Sequence, residues 1–242
     1  MKIKRERKYL RGKRMTKKHL KRLNIPKTWD VKKKGIKYIK RPLPGPHSFK
    51  YGVALSVFLR DVLKIANTNK EAKYIMNNNE VLIDGIRRRD DKFVVGFMDT
   101  ISIPSTKEYF RVVFNKKGKL DYIKIDEKES KLKICKIKGK RMYKGLQINL
   151  SDGRNILTDK KDCKVGDGVL IEFPKQNIKD VIKLDRGSLV FLIGGKHTGK
   201  IANVVEIKNS VMKCSTKEGD FETLKKYAFT IGKEKPLIKV EE

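Results

Sequence analysis

Residues 55–76 read LSVFLRDVLKIANTNKEAKYIM. Leu55, Phe58, Leu59, Val62, Leu63 and Ala66 fall at i, i+3, i+4, i+7, i+8 and i+11, a spacing that predicts a helix with one apolar stripe. Arg60 and Lys64 lie on the opposite face. Asn67 and Thr68 break this helix, and Thr68-Asn69-Lys70-Glu71 reads as a capping box opening a second short helix that buries Ala72, Ile75 and Met76. A helical hairpin is expected. Val81 to Gly85 then read as a strand and its turn, the triplet Arg87, Arg88, Arg89 follows, and strand-like runs at Phe93 to Phe97 and Ile101 to Ile103 stop at Pro104. The unit is a small α+β domain.

Upstream of it the composition changes sharply. Twenty of the first fifty residues are Lys or Arg, opposed only by Glu6 and Asp30, so this fifth of the chain carries +18 of a formal net charge of +32. Such a segment repels itself and is poor in apolar residues, so it is expected to be disordered alone and ordered by a polyanion. Within it, Met15 to Leu23 are read as a short helix, and Leu20, Leu23, Ile25 and Trp29 as apolar surface for docking on a larger object. Arg41-Pro42-Leu43-Pro44-Gly45-Pro46-His47 forbids a continuous helix and marks an extended linker.

Downstream, short strands alternate with turns: Arg111 to Phe114, Leu120 to Ile125, Leu132 to Ile137, Leu146 to Leu150 and Val169 to Phe173. Two more, Ser188 to Ile193 and Ile201 to Ile207, flank the loop Gly194-Gly195-Lys196-His197-Thr198-Gly199-Lys200. That loop satisfies G-x-x-x-x-G-K, but Ile201 stands where a nucleotide-hydrolysing P-loop needs Ser or Thr for magnesium. No nucleotide is expected there. The glycines instead suit a tight strand-loop-strand turn, with Lys196, His197 and Lys200 turned to an RNA backbone.

The charge points first to nucleic acid. No apolar run approaches the roughly 18 residues that span a bilayer, and no secretory leader is read, so a cytoplasmic protein without a membrane partner is expected. Cys135, Cys163 and Cys214 are widely spaced, as are His19, His47 and His197, so neither disulfide nor metal nor cofactor is indicated. Asp61, Asp84, Asp90, Asp91 and Asp99 read as turn formers with no partner His or Cys, and no enzyme is expected.

Gly187-x-x-Val190-x-x-x-Gly194 followed by Gly199-x-x-x-x-Val204-Val205 resembles the KOW motif of ribosomal proteins and transcription elongation factors. The run Phe58-Leu59-Arg60-Asp61-x-Leu63-Lys64-x-Ala66, with Glu71, Val81-x-Ile83-Asp84-Gly85 and Phe97-Met98-Asp99-x-Ile101-x-Ile103, resembles the RNA-binding domain named after bacterial ribosomal protein S-four. Lys17 to Leu23, Pro26-x-x-Trp29, Gly45-Pro46-His47 and Phe229-x-Ile231-Gly232-Lys233 complete the pattern. From about residue 15 onward the chain is similar to the S-four-e family of archaeal and eukaryotic small-subunit ribosomal proteins; the first fourteen residues look like an extra basic extension.

The resemblance implies a multi-domain α+β and β fold with four parts. These are a basic N-terminal arm (1–43), a small S-four-like RNA-binding domain (44–106), a central β domain (107–184) and a C-terminal SH3-like KOW barrel (185–242). It implies a structural constituent of the small ribosomal subunit that binds rRNA, next to other small-subunit proteins and without forming a homo-oligomer. The RNA-binding candidates in the arm and linker are Lys2, Lys4, Arg5, Arg7, Lys8, Arg11, Lys13, Arg14, Lys17, Lys18, His19, Lys21, Arg22, Lys27, Trp29, Arg41, His47 and Lys50. Those beyond it are Arg60, Lys64, Lys70, Lys73, Arg87, Arg88, Arg89, Lys196, His197 and Lys200. Two other classes fit parts of the pattern. A KOW-type assembly or elongation factor would bind RNA transiently, and an RNA-modifying enzyme would use the S-four-like domain for targeting, although residues 108–185 are too short and Lys-rich for its catalytic domain.

Overall fold

The computed structural model describes residues 19–142, 145–158, 162–216 and 219–241. The hairpin read from residues 55–76 is present, with its first arm altered. Helix α1 (Leu55–Val57) widens at once into a π turn over Phe58–Val62, where the Leu63 amide donates to the Phe58 carbonyl; Lys64 then takes a left-handed φ of 57°. The expected helix through Ala66 is therefore shorter and wider. Leu55 to Leu59 are all buried, so this arm meets neighbours on every side and an amphipathic stripe understates its packing. Helix α2 (Asn69–Asn78) starts as expected: the Thr68 hydroxyl accepts from the Glu71 amide at 3.2 Å, and the Glu71 carboxylate accepts from the Asn67 amide at 2.8 Å. Reciprocal capping of this kind is worth about 1 kcal/mol.

The hairpin covers an antiparallel five-stranded sheet in the order β5-β4-β7-β8-β9. Its strands are β4 (Leu82–Ile83), β5 (Ile86–Arg87), β7 (Thr100–Ile103), β8 (Glu108–Phe114) and β9 (Leu120–Lys124), while β3 (Gly52–Ala54) and β6 (Val94–Gly96) form a separate pair. Asp84 and Gly85, at φ 50° and 74°, make the two-residue turn between β4 and β5. Because Ile103 pairs with Glu108, the sheet crosses the boundary expected at 106/107, which falls in a hairpin turn.

Strand β10 (Leu132–Met142) serves two neighbours. Its first half pairs with β13 (Gly168–Glu172) and its second with β11 (Leu146–Leu150), with a register shift between Ile137 and Gly139 in the latter pairing. With β12 (Asn155–Thr158) and β14 (Asn177–Ile182) outside, this is the second five-stranded sheet. The third consists of β15 (Leu189–Leu192), β16 (Ile201–Lys208), β17 (Val211–Thr216), β18 (Gly219–Leu224) and β19 (Ala228–Gly232), in the order β18-β17-β16-β15-β19. Ile201 opens β16, so the glycine loop leads into a strand.

The described part of the leader is tied to this body. Leu20–Lys21 form strand β1 against β2 (Tyr38–Ile39), and Arg22–Asn24 make a single 3-10 turn, so the described end of the expected 15–23 helix is a short strand and one tight turn instead. Ile25, Trp29 and Ile39 are buried, and the Leu120 amide donates to the Thr28 carbonyl at 2.6 Å. The expectation of a leader ordered only by a polyanion does not hold for residues 19–43, because these side chains find apolar partners in the same chain. One core runs from Ile25 and Trp29 through the helical hairpin and β8 to Phe191, Phe229, Ile238 and Val240, with smaller cores under the second and third sheets. The parts read from sequence as modules share a core.

Candidate nucleic-acid interface

Which cations are open to a ligand depends on the carboxylates around them. Lys133 of β10 is fully buried and its ammonium lies 2.7 Å from Asp84 Oδ2, 2.6 Å from Asp99 Oδ1 and 3.4 Å from Asp152 Oδ2. Arg154 reaches the same Asp84 and Asp152 carboxylates at 2.9 and 3.0 Å, and His47 Nε2 sits 2.8 Å from Asp99 Oδ1. Burial pulls the Lys133 ammonium down, but Asp84 and Asp99 outweigh it and its pKa ends well above the ordinary lysine value. Burial likewise pushes Asp99 up, yet the charges of His47 and Lys133 hold it far below the usual carboxylate range. Asp152 is also held low, by the charges of Lys133 and Arg154 against the pull of burial, so neither Asp99 nor Asp152 is poised to give or take a proton near neutral pH. The neighbouring Cys135 thiol is pushed well up by burial, which makes it a poor nucleophile. The network is a clamp joining the first and second sheets. In the sequence Asp84 and Asp99 read as separate turn formers, and nothing pairs them with Lys133, because these residues are far apart in the chain.

Several cations on the outside hold the fold. Arg60 donates to Asn69 Oδ1 at 2.8 Å and pairs with Asp61; Arg87 donates to the Asn77 carbonyl at 3.2 Å. The Arg88 guanidinium lies 4.5 Å over the Phe93 ring, and Lys73 is 3.6 Å from Asp91. Lys64, Lys70 and Arg89 are exposed. In the leader His19, Lys21, Lys27, Arg41 and Lys50 are exposed, as are Lys32, Lys33, Lys34 and Lys37, which are absent from the sequence-based candidates although they continue the same basic run.

Three candidates change role. Trp29 is only 3% exposed and packs beside Phe49, so its ring anchors the leader and offers RNA no face. Arg22 is buried, with Nη1 donating to the Lys32 carbonyl at 2.8 Å. His47 is committed to Asp99. Lys2, Lys4, Arg5, Arg7, Lys8, Arg11, Lys13, Arg14, Lys17 and Lys18 lie outside the described residues.

Leader and hairpin are brought together. A groove of about 880 Å³ between them is lined by His19, Tyr38, Lys40, Arg41, Asn69 and Lys92, among others. The glycine loop lies elsewhere, on the turn between β8 and β9. Gly199, at φ 82°, approaches the Asn115 carbonyl so closely that no side chain fits, and Lys119 of the same turn pairs with Asp30 of the leader at 2.7 Å. In that loop Lys196 is exposed and the His197 ring stacks on Phe221 at 4.0 Å, so only part of the loop faces outward.

Residues 14–50 match the RS4NT (NUC023) domain and residues 106–178 match the ribosomal family S4e. Over 92% of its length the chain is 43% identical to small ribosomal subunit protein eS4 of Methanosphaera stadtmanae, covering 95% of that protein. The chain belongs to the S4e family of ribosomal proteins. A further S4e relative, small ribosomal subunit protein eS4 of Methanocaldococcus jannaschii, is 40% identical over 95% of this chain and 100% of its own length. The fold agrees: the crystal structure of the 30S ribosomal protein S4e from Thermoplasma acidophilum superimposes with a TM-score of 0.66 at 34% identity, over 75% of this chain and 95% of that one.

Proposed function

We propose that this chain is a structural constituent of the small ribosomal subunit, located with the ribosome in the cytoplasm, and that it binds and stabilises small-subunit rRNA beside neighbouring ribosomal proteins. The observation that carries this reading is the segregation of charge: Asp84, Asp99 and Asp152 are consumed inside the fold by Lys133 and Arg154, while leader and hairpin turn exposed cations outward. A rigid cationic surface of that kind suits RNA, which is recognised through shape, phosphate and 2′-hydroxyl. The contacts proposed are the exposed leader cations, Lys64 and Lys70 on the hairpin, Arg89 after β5, and Lys196 of the glycine loop. The S-four-type assignment of residues 44–106 and the KOW assignment of the C-terminal sheet belong to the same proposal, and so does a purely structural, non-enzymatic role. Sedimentation tests it: the protein travels with small subunits at moderate salt and is stoichiometric in mature particles. A predominantly free pool, or presence only in precursor particles, overturns it.

A further inference from the structure

Where the three large sheets meet there is a cleft of about 810 Å³. Its accessible aromatic walls are the half-buried Tyr51 and Tyr227, backed by the buried rings of Phe97, Phe114 and Phe229; Tyr51 meets Phe114 edge-on at 5.9 Å between ring centroids, and Phe97 stacks on Phe114 at 5.3 Å. Among the described residues four lysines line it, Lys136, Lys138, Lys225 and Lys226, and no carboxylate does. Lys136 is already used, its ammonium donating to the carbonyls of Lys225, Lys226 and Ala228 at 3.1, 3.1 and 2.6 Å, which ties the second sheet to the third. Lys138 and Lys226 are exposed, and Lys226 lies 5.0 Å over the ring of Tyr227, another lining residue.

An apolar cleft of this size takes a small planar body, and its uncompensated positive lining asks for negative charge on the same ligand. An unstacked nucleotide has both, a π face and a phosphate. We propose that the cleft receives a nucleotide extruded from RNA, its base against Tyr51 and Tyr227 and its phosphates on Lys138, Lys225 and Lys226. Ser48 and Asn209, also in the lining, supply hydroxyl and amide groups for the base edge. The inference rests on the RNA-binding reading above and adds to it a place where a base is gripped, separate from the leader and hairpin.

The experiment irradiates the full chain bound to protein-free small-subunit rRNA with ultraviolet light and maps nucleotide adducts by mass spectrometry. Adducts are expected on the peptides holding Tyr51 or Tyr227. They are expected to vanish in Lys138→Glu/Lys226→Glu, which binds about tenfold more weakly while melting at the wild-type temperature. Should charge reversal disturb the fold, the Lys138→Gln/Lys226→Gln variant reads the same loss. Tight wild-type binding with adducts confined to leader and hairpin peptides overturns the cleft and spares the RNA-binding reading. No rRNA binding by the wild type overturns both. In intact subunits, cleft residues cross-linked to a protein in place of RNA overturn the nucleotide as occupant.

Discussion

Lys133 shows how much depends on single buried charges. Lys133→Met leaves Asp84, Asp99 and Asp152 facing one another with only Arg154 and His47 to balance them, and removing one member of a buried ion network costs about 3–5 kcal/mol. Chemical denaturation is expected to read a loss of that order, with Lys133→Arg failing to restore the wild-type value because the site is fully packed. The same network fixes the acid limb of stability. Asp99 titrates lower in the folded chain than unfolded, so its contribution is complete above the unfolded carboxylate value near pH 4 and is lost as pH falls toward its folded value. Melting curves between pH 5 and pH 2 are expected to fall steeply for the wild type and less steeply for Asp99→Asn, which starts lower at neutral pH. Gly199→Val is a third residue-scale test: its φ of 82° and the adjacent Asn115 carbonyl leave no room for a side chain, so stability drops by at least about 1–3 kcal/mol and RNA binding weakens with it.

Among elements, the hairpin of α1 and α2 separates structural from binding cations. Arg60 and Arg87 brace it and Arg88 packs on Phe93 nearby, whereas Lys64, Lys70 and Arg89 are exposed. Changing the latter three to Ala is expected to leave stability within about 0.5 kcal/mol per site. The same triple variant is expected to lower the slope of log affinity against log salt by about 0.7–0.9 for each phosphate that is no longer neutralised, as a salt titration on rRNA would read. An unchanged slope would place the RNA elsewhere on the surface. Much of this element was legible in the sequence, since a capping box and an apolar stripe are local signals. The π turn was not: side-chain spacing over two turns does not distinguish i→i+4 from i→i+5 bonding when every residue from Leu55 to Leu59 is buried. The leader misled for the opposite reason. Leu20, Leu23, Ile25 and Trp29 read as a surface for docking on a larger object, and only the partner surface around Leu120 and Phe49 reveals that Trp29 docks within its own chain. Trp29→Ala is expected to cost about 3–5 kcal/mol and to free the leader, seen as faster proteolysis there.

At the scale of the whole molecule, β8, β9, β10, β11, β13, β15 and β16 were legible as apolar or alternating runs between turn signals, whereas β12, β14, β17, β18 and β19 were not read as strands. Their joining into shared sheets and a shared core was not, because β10 divides between two partners and Asp84 meets Lys133 only in three dimensions. The extreme charge does act at this scale. Neutralising Arg5, Arg7, Arg11 and Arg14 together is expected to weaken association with rRNA and flatten its salt dependence, with no change in melting temperature.

Arg111 is wholly enclosed, and its guanidinium donates to the carbonyls of Glu129, Leu132 and Lys239, between Ile238 and Val240, which lie in the core that Ile25 and Trp29 begin. A polypeptide synthesised from its amino end must therefore release nearly all of its described length before that interior can seal. The leader's own anchors, Ile39, Phe49 and Leu120, lie in the first half of the chain, so it can dock before the interior behind it closes.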